Sequence, residues 1–203
     1  MPRRSRLPVS VAAATLAAPA HAHLVETGFG AFYDGVVHLA VTPGDLLLVV
    51  AVALLAGQRG TEAARWTLFV MPAAWLAGSL LGARYPIGST LPVLTTLTFG
   101  AAGALVALNA GLPAVLDAAF AGVAGLSHGY VNGASMAPGG ASLLALAGVT
   151  TAVSCLLAIL SAQVTTLQAG WTRIAVRVTG SWIAAAGLLM LGWLAGPGRT
   201  LSS

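Results

Sequence analysis

Charged side chains are scarce. Only 7% of the 203 residues are Asp, Glu, Lys or Arg, against about 25% in a soluble domain, so a fully solvated globular surface is excluded. With 58% hydrophobic residues and a mean hydropathy of +0.90, the chain reads as an integral membrane protein. Cysteine occurs once, Cys155 inside an apolar run, which rules out a disulfide framework and a cysteine metal cluster. Long polar connections are missing too. Links such as GQRGTEAAR and NAGLP leave no room for a separate soluble catalytic domain. Period-two alternation, which a transmembrane barrel requires, is absent from the apolar runs.

The formal charge of +4 raises the question of nucleic acid, and the N-terminus answers it. MPRRSRLPVSVAAATLAAPAHA carries three arginines, an apolar run from Leu7 to Ala18 and an A-x-A ending at Ala20 and Ala22. That is the layout of a secretory signal. An uncleaved anchor is the competing possibility, but Pro8 and Pro19 leave a run well under the roughly 20 residues a membrane span needs. The expected division is a signal peptide over 1–22 and one transmembrane helical domain over 23–203, with His23 as the first mature residue. Six basic residues then face five acids, too slight an excess for a phosphate-binding patch, so no nucleic-acid partner is expected.

Six apolar segments follow, over approximately 31–56, 66–83, 90–108, 112–129, 141–162 and 172–194. Most can cross a hydrocarbon layer of roughly 30 Å at about 1.5 Å per residue. The expected fold is therefore all-α, a polytopic bundle of about six transmembrane helices. Pro43 and Gly44 interrupt the first segment, which predicts a tilted or re-entrant opening portion. GSLLG and GAAG predict close helix crossings, since small residues let backbones approach. Export of the N-terminus followed by six crossings puts both mature ends outside. Arg59, Arg65, Arg173 and Arg177 then lie on the cytoplasmic side, with Arg84 and Arg199 opposite, in keeping with the positive-inside rule.

Against this background the ionisable residues stand out. Glu62 lies beside Arg59 and Arg65 in a loop, where a solvated charge is ordinary, and Asp117 sits near a helix start, where it favours the dipole. In YDGVVHLAVTPGD, Asp34 and His38 are four apart and share a helical face, with Asp45 seven further on. Such groups at membrane depth must pair or bind a cation. Asp34 holding His38, with Asp45 capping the helix after Pro43, is the structural alternative to metal contact. The second cluster, GLSHGYVNGASMAPGG, contains His128, Asn132 and Met136 at intervals of four. His128 is expected to end the fourth helix, because the glycines beyond it make a regular continuation doubtful. Imidazole nitrogen with carboxylate or amide oxygen suits nickel, cobalt or zinc, and an N-terminal His23 paired with a second histidine would suit copper.

Two stretches, HLAVTPGDLLLVVAVALL from His38 to Leu55 and GLSHGYVNG from Gly125 to Gly133, resemble the signature regions of the HupE/UreJ family, small bacterial membrane proteins associated with nickel hydrogenase and urease systems. The resemblance implies nickel or cobalt uptake, or supply of metal to metalloenzyme maturation, in the bacterial cytoplasmic membrane. It sets His38 on a family histidine, Asp45 on the family aspartate and His128 on the first histidine of a His-Gly-x-x-His-Gly motif. The chain departs from the pattern at Leu46 and Asn132, where the family has histidine, and at Ser135, where an acid often follows. Two lost imidazoles weaken nickel binding or change the metal.

Three functional classes follow. A metal permease expects His38, Asp45 and His128 to form an entry site for a divalent ion, with Asp34, His23, Glu26 and Asn132 as further contacts. The ion is substrate, and no tightly bound cofactor is expected. A non-transporting subunit of a membrane complex, or a partner of maturation proteins, needs only packing surfaces. An intramembrane enzyme needs a base, nucleophile or catalytic metal. No His-Glu-x-x-His occurs, and Ser127 beside His128 is adjacency in sequence, which does not make a catalytic dyad.

Overall fold

The computed structural model describes residues 27–86, 91–137, 142–167 and 170–196. The expected signal peptide, with His23 and Glu26, lies outside the described residues. Seven helices appear among them: α1 (Ala31–Val41), α2 (Pro43–Arg59), α3 (Thr61–Arg84), α4 (Pro92–Leu108), α5 (Ala114–Met136), α6 (Leu143–Thr165) and α7 (Gly170–Leu194). Four of them, α3, α5, α6 and α7, are long and apolar enough to cross a membrane, and the bent pair α1–α2 makes a fifth candidate span. Helix α4 is apolar but has 17 residues, about 26 Å of helix.

The break after α1 falls where the sequence places it. A residue before proline is pushed out of the helical region, and Thr42 is extended, with φ −107° and ψ 90°. Pro43 then occupies the first turn of α2, where its missing N–H removes no hydrogen bond. The two helices meet at 79°. Thr42 Oγ1 donates to His38 O at 2.8 Å, satisfying one of the carbonyls that α1 leaves open at its end.

Helix α2 is the central element. Leu48, Val49 and every residue from Ala51 to Gly57 are buried, and α2 touches α1, α3, α4, α5, α6 and α7. Large apolar side chains on the outside, such as Trp171, Trp182, Leu188 and Trp193 of α7, form a surface suited to lipid. Lipid tails are as apolar as leucine, so packing and interhelical hydrogen bonds hold such a bundle together.

Glycine sets the tightest crossings. A Cβ on Gly129 would lie 2.1 Å from Trp75 O, and one on Gly133 would lie 1.9 Å from Ser79 O. From the other side, a Cβ on Gly78 would meet Leu126 O at 2.2 Å and one on Gly82 would meet Tyr130 O at 2.0 Å. Helices α3 and α5 thus pack backbone to backbone. The pair Gly100 and Gly103 does the same for α4 against Gly187 and Gly180 of α7. Both crossings agree with the GSLLG and GAAG expectation. The expected end of the fourth helix at His128 is corrected: α5 continues regularly to Met136. Glycine weakens a helix exposed to water, but here its missing Cβ admits the neighbouring helix, and contact along α3 offsets the propensity loss.

Candidate functional site

Helix α2 begins inside the bundle, and its first turn carries Asp45, 5% exposed. A carboxylate there complements the positive helix N-terminus, but it does not cap α2 by a side-chain hydrogen bond. It reaches across to α5 instead. Asp45 Oδ1 lies 2.6 Å from His128 Nδ1, and Asp45 Oδ2 accepts from Asn132 Nδ2 at 2.6 Å. Because His128 and Asn132 are four residues apart, both project from one face of α5, so a single carboxylate holds them together.

Helix α4 closes the far side. His128 Nε2 lies 2.9 Å from Thr98 Oγ1 and 3.2 Å from Thr95 O. A nitrogen facing a carboxylate carries its proton; at Nε2 the Thr95 carbonyl can only accept, and Thr98 Oγ1 either donates to Nε2 or, while its proton goes to Thr95 O, accepts from it. The Trp75 ring of α3 packs beside the imidazole, with centroids 5.9 Å apart and planes inclined at 36°. His128, at 1% exposed, is thus fixed on three sides.

Asn132 holds the remaining opening. Its Nδ2 also donates to His128 O at 2.9 Å. Both partners of Nδ2 are acceptors, which fixes the amide orientation and leaves Oδ1 directed elsewhere. That oxygen is buried with no hydrogen bond of normal geometry among the described residues. His38, buried near the end of α1, interacts with the Asn132 side chain and lies in the field of Asp45. The broken helix thus brings His38, Asp45, His128 and Asn132 into one buried polar cluster.

Asp34 does not join it. Its Oδ1 accepts from Thr27 N at 2.7 Å and Thr27 Oγ1 at 2.6 Å, so the expected Asp34–His38 pair is replaced by a local tie to the segment before α1. Nearby donors with little chain entropy to lose compete well for a half-buried carboxylate. Asp117 lies in the first turn of α5, where a carboxylate favours the dipole, and is buried inside the bundle. Its side chain accepts a long bond from Thr67 at 3.4 Å, and its Oδ1 is unpaired among the described residues.

Two features escape a residue-by-residue reading of the sequence, and one motif it does spell is overruled by the fold. Thr95 and Thr98 give no signal in an apolar helix that contains several threonines, and Trp75 looks like any core aromatic. Gly125 to Gly129 also spell Gly-x-Ser-x-Gly, but the stretch lies within regular α5 and not at a strand-to-helix turn. Ser127 Oγ donates back to Ala124 O at 3.0 Å, so the geometry of a nucleophile elbow is missing. Among the described residues, no group of three or more His, Cys, Asp or Glu side chains is arranged to hold a metal ion.

The family model for HupE / UreJ proteins matches residues 11–190. The chain belongs to the HupE/UreJ family. It is also similar to Protein HupE of Rhizobium leguminosarum bv. viciae, 28% identical over 195 residues that cover 92% of this chain and 97% of that protein. No solved structure matches. For this HupE/UreJ member, the two stretches that carry the resemblance are also the two that meet in space: Asp45 comes from one, His128 and Asn132 from the other.

Proposed function

We propose that this protein moves a divalent transition metal, nickel or cobalt first, across the bacterial cytoplasmic membrane or supplies it to metalloenzyme maturation. One observation carries the proposal: the buried Asp45–His128 carboxylate–imidazole pair and a second buried imidazole, His38, all reach the Asn132 amide. Such a set of nitrogen and oxygen groups is costly to hold in a membrane interior. A cation ligated by them would offset that cost. Family membership and the nitrogen–oxygen character of the groups support nickel or cobalt, with copper and zinc as further candidates.

The ion enters from the extracytoplasmic side, with His38, Asp45 and His128 as ligands and Asn132, His23 and Glu26 as outer contacts. Asp34, tied to Thr27, serves the entrance at most. Export ends with cleavage after Ala22, the chain crosses six times, and both mature ends face outward. Four of the five described arginines, Arg59, Arg65, Arg173 and Arg177, lie at the bundle end opposite the cluster, which supports that orientation. Nε2 of His128 can ligate the ion while Nδ1–H stays on Asp45, the usual carboxylate support of a metal-bound imidazole, so entry needs Thr98 and Thr95 to release that nitrogen.

A specific observation favours a second reading. The Asp45–His128 contact is short and closed, so the cluster could serve only to lock α2, α4 and α5 in a structural subunit of a membrane complex. Flux of nickel, cobalt, zinc and copper into proteoliposomes separates the two. Selective uptake that is lost in folded Asp45→Asn and His38→Ala variants supports transport. Wild-type protein that neither binds nor moves any of the four metals overturns it.

A further inference from the structure

At the other end of α2, roughly 21 Å along the helix from Asp45, a cavity of about 500 Å³ opens where the ends of α2, α4 and α6 meet the start of α7. Its walls include Gln58, Arg59, Asn109, Arg173 and Arg177, and no carboxylate lines it among the described residues. Arginine at a helix C-terminus usually needs no ligand, since open carbonyls take its protons. Part of this set does serve that way: Arg177 Nε donates to Ala107 O at 2.9 Å, and Arg59 donates through Nη2 to Asn109 Oδ1. The capping is incomplete. Each guanidinium has five N–H donors, and the exposed Arg173 makes no hydrogen bond to protein among the described residues, so donors on the cavity wall are open to a ligand.

Charge points the same way. Three guanidinium charges and about half a unit from the start of α7 outweigh about half a unit of opposite sign from each of three helix ends, leaving roughly +2. Asp117 acts electrostatically on Arg59 but is not on the wall, and counting it still leaves the cavity positive.

We propose that this cavity binds a phosphate group, the chemistry shared by an anionic phospholipid headgroup and a free phosphate, with Arg59, Arg173 and Arg177 as its donors. Bidentate guanidinium–phosphate contacts are short, charge-assisted and directional, and basic pockets between membrane helices are suited to anionic lipid heads. The site is independent of the metal cluster and of any transport role.

The test uses full-length protein in nanodiscs of phosphatidylcholine alone or with phosphatidylglycerol, reading retained lipid by native mass spectrometry and thermal unfolding alongside. Inorganic phosphate and glycerol 3-phosphate, added to the neutral discs, separate a free phosphate from a lipid headgroup. Wild-type protein should retain phosphatidylglycerol and unfold at higher temperature with it, or with glycerol 3-phosphate if the source is soluble. Arg173→Gln/Arg177→Gln should lose about tenfold or more of that retention, Arg173→Lys/Arg177→Lys should keep part of it, and Arg84→Gln at the opposite end should keep all of it. Failure of every phosphate species to bind or stabilise the wild type, or equal retention by the double glutamine variant, overturns the proposal.

Discussion

Two buried aspartates occupy nearly the same place in their helices and have different surroundings. Asp45 lies in the first turn of α2 and Asp117 in the first turn of α5, and both are almost wholly withdrawn from the surface. Asp45 has two partners at 2.6 Å, an imidazole and an amide. Asp117 has one hydroxyl at 3.4 Å and an unpaired oxygen. Position near a helix N-terminus accounts for a carboxylate in both cases. Only at Asp45 have three other helices supplied polar groups, and that convergence marks a site where mere burial does not.

The largest effect should come from removing Asp45. Asp45→Ala leaves His128 and Asn132 buried without their shared acceptor and should destabilise the protein by about 3–5 kcal/mol, read by denaturant unfolding in detergent. Asp45→Asn should recover much of that stability while metal uptake stays abolished, because a neutral amide keeps the shape and loses the charge. Uptake at the wild-type rate by Asp45→Asn would remove the distinction between an ion site and a structural tie.

Next comes the scaffold behind His128. Gly129→Ala forces a methyl group against the backbone of Trp75 and should cost about 1–3 kcal/mol. Gly192→Ala, where a Cβ meets nothing within 4 Å, should be neutral or stabilising by up to about 1 kcal/mol. Equal melting temperatures for the two variants would show that α3 and α5 are not in backbone contact.

Asp117→Asn should leave stability unchanged or raise it by about 1–2 kcal/mol, because it removes a buried charge with an unpaired oxygen at the expense of one long hydrogen bond. A loss matching that of Asp45→Ala would make Asp117 as important to the fold as Asp45. The smallest change belongs to Thr27→Ala, which removes one of the two donors to Asp34. It should shift unfolding by less than about 1 kcal/mol and leave metal uptake unaltered.

The polar cluster was legible in the sequence because apolar surroundings make each ionisable residue conspicuous. Pro43 announced the break in the first segment, and His38, Asp45, His128 and Asn132 were the residues worth bringing together. Spacing failed at Asp34. An interval of four gives a shared face on a helix, but it cannot show that Thr27, outside that helix, offers two donors at closer range. Glycine misled at the end of α5, because its helix penalty is a property of isolated or exposed helices, whereas Gly129 and Gly133 lie against α3. Thr95 and Thr98 stayed hidden since a threonine in an apolar helix ordinarily bonds to its own backbone. Only the approach of α4 to α5 gives those hydroxyls and carbonyls a second use.

The crossing of α3 and α5 also bears on motion. Where two helices meet through side chains, rotamers can yield and one helix can slide on the other. Between Gly78, Gly82, Gly129 and Gly133 there are no rotamers to yield, and a displacement of even one residue would drive carbonyl oxygens into main-chain atoms. His128 and Asn132 therefore ride on a fixed plate. The other side of the contact is held in the same way: α1 lies backbone to backbone on α6 through Gly35 and Gly148, so the Thr42–Pro43 joint separates two seated helices and Asp45 is presented to the plate from a second fixed support.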